Sequence, residues 1–140
     1  MQETNKQKLK DILEESKNIA IIGLSPDSSK DSNMVGIYLK NNGYNIIPIY
    51  PKEEKILDSK VYRSLKDALS ENKIDIVVMF RKGEVATILA KEIIDSSTKP
   101  KLLWLQLGIE NNEAKAMMEN YGVGFVQNKC IKIEHQLLFK

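Results

Sequence analysis

The sequence contains very few of the residues that build metal centres and disulfide frameworks. Its 140 residues include one cysteine, Cys130, and one histidine, His135. A single cysteine excludes an internal disulfide, and these two residues together are too few for a zinc-type ligand set. The sequence therefore predicts no disulfide and no metal site.

Long apolar runs and concentrated charge are also missing. No window approaches the length of a membrane-spanning helix, and the opening residues, MQETNKQK, lack the apolar stretch of a secretory signal. The net charge is +2, acids and bases are interspersed, and no Lys/Arg-rich block indicates a nucleic-acid-binding face. We expect a cytoplasmic protein that binds neither membranes nor nucleic acid, and the sequence leaves a protein partner open.

The length and composition are those of one ordinary globular unit. Hydrophobic residues make up 42% and charged residues 29% of the chain, which is enough to build a single core. No repeat, low-complexity segment or linker divides the sequence. We therefore expect a single domain over residues 1–140, with an N-terminal helix within 1–17, capped at Thr4, and a tail at 128–140 that forms a turn and a short helix.

Apolar runs alternate with helical patterns along the chain. The predicted strands cover residues 19–24, 45–50, a short edge strand at 61–62, then 74–80, 101–105 and 123–126. The predicted helices between them lie near residues 33–42, 65–72 and 83–96, and a last one ends at Gly122. Crossovers of this length indicate parallel strands, so we predict an α/β fold, a three-layer Rossmann-like doubly wound and mainly parallel sheet with strand order 3-2-1-4-5-6.

The first strand ends at a feature typical of a phosphate site. The apolar run stops at Gly23 and passes through Ser25 into a polar loop that reaches Ser32. Backbone N–H groups of such a loop and of the following helix N-terminus stabilise anions, above all a pyrophosphate. The dinucleotide pattern G-x-G-x-x-G is absent, so a standard NAD enzyme is disfavoured.

The end of the second strand points to a ribose that carries an extra phosphate. An NAD site needs an acid there, and this chain offers Tyr50, Pro51 and the cation Lys52. Two cofactors fit a cation in that place: NADP, with its 2′-phosphate, and coenzyme A, with its 3′-phosphate. Arg81 is a second candidate phosphate ligand. Alternatively, Lys52 is a solvated loop residue and Arg81 pairs with Glu84.

The chain's cysteine and histidine invite a catalytic reading that the sequence does not support. Cys130 and His135 lie five residues apart, but a nucleophile pair also needs an orienting third group and an oxyanion site. A lone cysteine is more often a small buried hydrophobe and a lone histidine a structural residue. We therefore expect no catalysis by this pair.

Five segments, taken in order and spacing, resemble a known family. They read IAIIGLS at 19–25, IIPIYP at 46–51, VVMFR at 77–81, LWLQLG at 103–108 and KCIKIEH at 129–135. These segments resemble the small bacterial and archaeal CoA-binding domain proteins, which are similar to the N-terminal domain of the succinyl-CoA synthetase α-subunit. The resemblance implies a Rossmann-type fold that binds coenzyme A or acyl-CoA.

The resemblance also implies roles for individual residues. The residues placed around the phosphates are Ser25, Pro26, Asp27 and Ser28, while Ser32 is a candidate through its position at the end of the loop after the first strand. Lys52, after Tyr50 and Pro51, faces the adenosine end. The residues placed along the cleft and the pantetheine arm are Phe80, Arg81, Gln106, Leu107 and Gly108. Many relatives have Asn in place of Tyr50, and the acidic Asp27 and Asp31 oppose a polyanion.

These observations favour a coenzyme A-binding protein without catalytic machinery, acting as a carrier, sensor or partner module. The synthetase's domain with its phosphorylated histidine is missing, and His135 is not its counterpart, so ligase activity is not implied. The alternatives are an NADP-dependent oxidoreductase and a regulatory protein with a degenerate nucleotide site. The position of Cys130 at a strand's carboxyl end adds the hypothesis of a mixed disulfide with coenzyme A.

Overall fold

A computed structural model of the protein describes residues 4–140. Within them the chain forms the following elements in order: α1 (Lys6–Glu15), β1 (Asn18–Ile22), α2 (Asp31–Asn41), β2 (Asn45–Ile49), β3 (Lys55–Ile56), β4 (Ser59–Lys60), α3 (Leu65–Glu71), β5 (Ile76–Met79), α4 (Val85–Asp95), β6 (Leu102–Leu105), α5 (Asn112–Tyr121), β7 (Gly124–Val126) and α6 (Ile131–Phe139). The strands are shorter than predicted by one to three residues at their ends, and helix α6 in the tail is confirmed.

The main sheet has five parallel strands in the order β2-β1-β5-β6-β7. The predicted Rossmann-like fold and the order of these strands are therefore confirmed. The predicted edge strand at 61–62 is reduced to one parallel bridge between Ile49 and Tyr62. The reason is Pro48, whose carbonyl accepts from Tyr62 N–H but whose ring leaves no N–H on that side to extend the ladder.

The strand residues alternate between two hydrophobic clusters, one on each face of the sheet. In β1, Ile19 and Ile21 belong to the cluster that includes residues of α1, α2 and α6. Ala20 and Ile22 belong to the opposite cluster, with residues of α3, α4 and α5. Side chains on successive strand residues point to opposite faces, so a sheet covered by helices on both sides needs apolar residues at every position. This explains the near-continuous apolar strands in the sequence.

The helix ends follow local capping chemistry, with one correction. The side chain of Ser64 caps α3, as predicted, and Gly43 and Gly122 end their helices at φ +94° and +85°. Helix α1 is capped by Asn5, whose side chain accepts from the N–H of Lys8, so the cap predicted at Thr4 is wrong. Thr4 instead bonds to Phe125, which fixes the start of the described chain beside β7.

A short hairpin formed by β3 and β4 follows β2. It packs against Gly36 of α2, where an added Cβ would lie 2.9 Å from Cδ1 of Leu57 and 3.1 Å from Cδ1 of Leu24. The absence of a side chain at Gly36 therefore lets α2 pack closely against Leu24, just after β1, and against the hairpin turn.

Two buried polar side chains fix the framework at its opposite edges. At the amino edge, Asp75 Oδ2 accepts from the backbone N–H groups of Lys17 and Asn18, at 2.9 and 3.0 Å. At the carboxyl side, Trp104 of β6 is fully buried, and its indole N–H donates to the carbonyl of Lys129 at 2.8 Å. The first contact orients the entry into β1, and the second ties the start of α6 to the sheet.

Replacing Asp75 with alanine tests the first of these anchors. Asp75→Ala leaves two N–H groups at the start of β1 without their acceptor, so we expect the free energy of unfolding to fall by about 1–3 kcal/mol. The exposed Asp95→Ala at the end of α4 is the control and should change stability by no more than about 0.5 kcal/mol. Urea unfolding followed by circular dichroism measures both; equal effects in the two variants would contradict the anchor.

Candidate ligand-binding cleft

The crevice of the sheet lies between β1 and β5, which are adjacent in space. The chain leaves β1 towards α2 on one face of the sheet and leaves β5 towards α4 on the other. In an open α/β sheet such a switch point leaves a gap outside the carboxyl ends of the strands, where ligands bind. The geometry thus places a crevice at the edge of the sheet where the sequence predicts a site.

Two adjoining cavities fill this region, and together they form what we call the cleft. The loop cavity, of about 540 Å³, lies at the ends of β1 and β2 and is lined by Gly23, Ser25, Lys30, Asp31, Ser32, Tyr50, Pro51, Phe80 and Arg81. The helix cavity, of about 670 Å³, lies between α2 and α6 and is lined by Asp31, Met34, Val35, Phe80, Arg81, Lys82, Gln106, Leu107, Ile109, Cys130, Lys132, Ile133 and Gln136. Asp31, Phe80 and Arg81 border both, so the two cavities meet there.

The structure brings most of the predicted site residues to this cleft. Those that line it are Gly23, Ser25, Ser32, Tyr50, Pro51, Phe80, Arg81, Gln106, Leu107 and Cys130. Those that lie on exposed loops outside both cavities are Pro26, Asp27, Ser28, Lys52 and Gly108. The cleft is therefore built by the strand ends and two helices, with the tip of the first loop outside it.

The loop between β1 and α2 is held in shape by its own side chains. Ser25 N–H donates to Ser32 Oγ at 2.9 Å, and Asp27 N–H donates to Ser25 Oγ at 3.0 Å. The Asn33 amide donates to the carbonyl of Ser25 at 2.8 Å, and Ser29 donates to Asp27 through its N–H and its hydroxyl. These bonds use several loop N–H groups that the sequence had assigned to a ligand.

The first turn of α2 supplies the remaining donors. Its N-cap, Lys30, makes no side-chain capping bond, and the first helical hydrogen bond there is from Met34 N–H to Lys30 O. The three N–H groups before Met34 therefore have no intrahelical acceptor. These groups lie at the N-terminus of the helix, where the helix dipole is positive. Both the free N–H groups and the dipole favour an anion.

Gly23 lies where β1, β2 and β5 come together. Its N–H donates to the carbonyl of Ile49 at 2.8 Å, and its φ is +83°. An added Cβ would lie 2.9 Å from the backbone oxygen of Phe80 and 3.3 Å from Cδ of Arg81. Glycine is thus required by the backbone conformation and by the neighbouring strand end, in addition to any approach of a ligand.

Positive charge predominates along the cleft. Lys30 and Arg81 line the loop cavity, while Arg81, Lys82 and Lys132 line the helix cavity; Asp31 is the acid common to both. The salt bridges within residues 4–140 do not include the Arg81–Glu84 pair that was the alternative reading of Arg81. The guanidinium of Arg81 is therefore available to a ligand at the junction of the two cavities.

The carboxylate of Asp27 bonds to its own loop and lies outside both cavities. The N–H of Ser29, with additional help from its hydroxyl and the charge of Lys30, holds the pKa of Asp27 below its ordinary value. The carboxylate is thus engaged in shaping the exposed loop. Asp31, by contrast, lines both cavities.

The turn after β2 is fixed by a residue that the sequence analysis did not single out. Arg63 Nη1 donates to the carbonyls of Tyr50 and Lys52, at 3.0 and 2.9 Å. Lys52 is exposed and follows Pro51, which lines the loop cavity. Its predicted contact with a ribose phosphate stays a prediction.

Hydrogen bonds of Gln106 and Asn128 link the chain segments beside the helix cavity. Gln106 is only 3% exposed, and its Oε1 accepts from the N–H of Ile131 at 2.9 Å. Asn128 Oδ1 accepts from Gly108 N–H at 2.7 Å. These bonds tie the segments after β6 and β7 together and place Cys130, the N-cap of α6, on the wall of the cavity.

His135 belongs to a separate aromatic cluster. It is buried, its Nδ1 lies 2.7 Å from the hydroxyl of Tyr38, and its ring contacts Tyr44 and Phe139. Burial, with a smaller effect of the Lys140 charge, lowers the pKa of His135. The histidine therefore joins α6 to α2, which agrees with the structural reading of this residue.

Several cleft residues were not predicted from the sequence. They are Lys30, Met34 and Val35 at the start of α2, Lys82 and Ile109 in the loops after β5 and β6, and Lys132, Ile133 and Gln136 on α6. The apolar spacing identified Met34 as a helix position, but spacing alone does not separate a core residue from one that is 45% exposed beside a cavity. Nothing in the tail indicated that α6 would pack beside α2.

Residues 4–140 contain neither a cluster of metal ligands nor a membrane-spanning helix. No group of three or more potential ligands among histidine, cysteine, aspartate and glutamate comes together there to hold a metal ion. No helix in that part of the chain combines the length and apolar character needed to cross a membrane.

Comparison with known proteins identifies relatives along nearly the whole chain. A family model described as "CoA binding domain" matches residues 17–136. An uncharacterized protein, YneT of Bacillus subtilis (strain 168), is 36% identical over 135 residues, which cover 96% of this chain and 97% of the relative.

Solved structures also resemble this fold. A hypothetical protein from Pyrococcus horikoshii OT3 has 32% identity and a TM-score of 0.88, with all of both chains covered. A Thermus thermophilus protein described as cell-free ID.343 has 30% identity and a TM-score of 0.88, covering 97% of this chain and 100% of that one.

The contact made by Gly23 can be tested with a matched pair of glycines. Both Gly23 and Gly43 have positive φ, but a Cβ at Gly43 meets nothing within 4 Å. Alanine at either site bears a backbone penalty of about 1–2 kcal/mol, and Gly23→Ala adds a clash with Phe80 that costs about a further 1–3 kcal/mol. Denaturant unfolding should show Gly23→Ala as the less stable variant, and equal losses would contradict the close contact.

Proposed function

The chain belongs to the CoA-binding domain family, and from this premise we propose that its cleft binds coenzyme A or an acyl-CoA. The observation that carries the proposal is the shape of the cleft: a cavity at the start of α2 continues into a second, larger cavity between α2 and α6. A nucleotide with a long arm needs both parts. NADP would also use the first cavity and would extend its nicotinamide half into the second, and the family match is what favours coenzyme A for that space.

The diphosphate of the ligand is assigned to the start of α2. Three N–H groups of the first turn lack intrahelical acceptors, and Lys30 and Arg81 border the same space. Hydrogen bonds to a charged group each contribute about 1.5–3 kcal/mol, so this end is expected to provide much of the affinity. Asp31 lies on the same wall and reduces the affinity by its charge.

The pantetheine arm is assigned to the helix cavity. Its walls combine apolar side chains that are unusually exposed, Met34 and Ile133, with the polar Gln106. Pantetheine alternates methylene groups with amides, so it needs apolar contact and a few hydrogen-bond partners along its length. Burial of the exposed apolar side chains against the ligand contributes favourable free energy of about 25 cal/mol per Å².

The adenosine end is assigned to the rim after β2, where the 3′-phosphate meets Lys52. This residue lies next to Tyr50 and Pro51, which line the loop cavity, and Arg63 holds the turn that carries it. A mobile lysine at a rim can reach a phosphate without being part of the cavity wall.

We further propose that the protein acts without catalysis, as a single cytoplasmic domain that carries or senses coenzyme A. The one histidine is committed to the contact with Tyr38 between α2 and α6. The geometry therefore offers this residue a structural role and leaves binding as the function that the cleft supports best.

A panel of nucleotides tests the proposal. A ligand that binds only the folded protein raises its stability, by about 2.7 kcal/mol at a concentration of 100 Kd. We expect coenzyme A to raise the melting temperature most, dephospho-CoA less, and NADP and NAD little, as measured by thermal shift and by calorimetric titration. A response to NADP alone would favour an oxidoreductase, and no response to any of the four would indicate a degenerate site.

Charge-removing variants locate the phosphates. Arg81→Gln is expected to weaken both coenzyme A and dephospho-CoA about tenfold or more, because it removes a charge-assisted contact to the diphosphate. Lys52→Gln should weaken coenzyme A alone, so that the preference for it over dephospho-CoA disappears. Lys91→Gln, on the exposed side of α4, is the matched control. Equal binding by all three variants would contradict the assigned phosphate positions.

A further inference from the structure

The protein's only cysteine lies on the wall of the helix cavity. Cys130 is half-buried and is the N-cap of α6, yet its side chain makes no capping hydrogen bond. The side chain packs at the edge of a hydrophobic cluster, and no capping bond engages its sulfur. The indole of Trp104, bonded to the carbonyl of the preceding residue, Lys129, keeps this part of the chain in place.

A second feature of the same wall points to a ligand beside Cys130. Gln106 is only 3% exposed. Its Oε1 accepts a hydrogen bond from the N–H of Ile131, the residue after Cys130. This bond determines which end of the amide is nitrogen, because only the oxygen can accept from an N–H. Within residues 4–140 the amide nitrogen has no hydrogen-bond partner, although Gln106 lines the cavity.

In the described part of the chain, the fully buried side-chain atoms without a partner do not include this nitrogen, so it opens into the cavity, where a ligand can supply an acceptor. The bond from Ile131 N–H ties the Gln106 amide to the residue that follows Cys130. An acceptor bound to this amide would therefore lie beside the chain segment that contains the cysteine. The arm of coenzyme A has two amide carbonyls and ends in a thiol, so a carbonyl placed on Gln106 brings the sulfur end of the arm towards Cys130. The free donor and the free sulfur are thus complementary to consecutive groups of one ligand.

Resting on the proposed coenzyme A site, we propose that Cys130 is a modification site that captures coenzyme A by thiol–disulfide exchange. The co-reactant is the symmetric disulfide of coenzyme A. The Cys130 thiolate attacks one sulfur of that disulfide, its S–S bond breaks, and a mixed disulfide forms between Cys130 and one coenzyme A. The second coenzyme A leaves as a thiolate and takes up the proton that Cys130 released, so Cys130 is oxidised and the leaving sulfur is reduced.

The charges of the cavity make this exchange selective. Arg81, Lys82 and Lys132 line the same cavity as Cys130, with Asp31 as the acid in this lining, so the cavity attracts a polyanionic disulfide. A disulfide without phosphates gains less from these cations. It also lacks the nucleotide that the loop cavity binds.

Intact-protein mass spectrometry tests the exchange. The full-length reduced protein, freed of reductant, is incubated with either CoA disulfide or oxidised glutathione at equal concentrations. We expect one coenzyme A added per chain, removed again by dithiothreitol, and a rate on the order of 10-fold or more above that with glutathione, as electrostatic concentration at a binding site produces. In urea the preference should vanish. Because the chain has one cysteine, the mass change assigns the site.

Binding of reduced coenzyme A in the presence of dithiothreitol is measured in parallel, which separates the two proposals. Binding without modification by CoA disulfide, or modification no faster than by oxidised glutathione, overturns the exchange and leaves the binding function intact. Failure of reduced coenzyme A to bind overturns the proposed function and the exchange with it.

Two variants test the role of the cavity itself. Gln106→Glu keeps the acceptor for Ile131 N–H but replaces the free donor with an anionic oxygen, and it should slow the reaction with CoA disulfide several-fold. Lys132→Gln should slow the same reaction without slowing that with cystamine, a disulfide lacking phosphates. Lys91→Gln is the matched control. If neither cavity variant changes the preference for CoA disulfide, the proposed placement of the arm is wrong.

Discussion

The cleft depends on the close meeting of three strand ends at Gly23. The N–H of this residue is bonded to β2, its α-carbon faces the last carbonyl after β5, and its φ of +83° turns the chain away from the sheet. That turn sends the chain into the loop that ends at α2, while β5 sends its chain to the opposite face. The resulting gap exposes the start of α2 and the side chain of Arg81 to the same space.

The C-terminal helix converts this crevice into a longer cavity. Helix α6 is tied to the sheet by Trp104 and Gln106, and to α2 by the contact between His135 and Tyr38. These bonds hold α6 beside α2, so their facing residues enclose space above the ends of β5 and β6. His135 and the backbone of the tail thus position α6, whereas the side chain of Cys130 makes no capping bond at its start.

The sequence predicted the sheet well because its strands are buried on both faces. The continuous apolar runs and the helical spacing between them identified five strands and their order, and glycine or Ser64 marked several helix ends correctly. The prediction of an edge strand at 61–62 was wrong because Pro48 has no N–H to donate on the outer side of β2. A propensity pattern does not show which side of a strand lacks a donor. The cap of α1 failed because Thr4 is taken by a contact with Phe125, which is distant in sequence.

The site was predictable where it consists of strand ends and not where it consists of helix faces. The carboxyl ends of parallel strands must lie at one edge, so Gly23, Tyr50, Phe80 and Gln106 could be grouped without coordinates. The cleft residues of α2 and α6 depend on how two helices pack, and this is a tertiary property. The same limit applies to the first loop, whose N–H groups are partly used by its own serines.

The central claim is that a phosphorylated nucleotide binds at the first turn of α2 and extends between α2 and α6. Amide chemical-shift perturbation in the ¹⁵N-labelled protein, titrated with coenzyme A, tests this most directly. The account predicts the largest shifts at Asp31, Ser32 and Asn33, smaller ones at Gln106 and Cys130, and none along α3 or α5. Shifts that cluster on α3 or α5, or that leave the start of α2 unchanged at saturation, would contradict it.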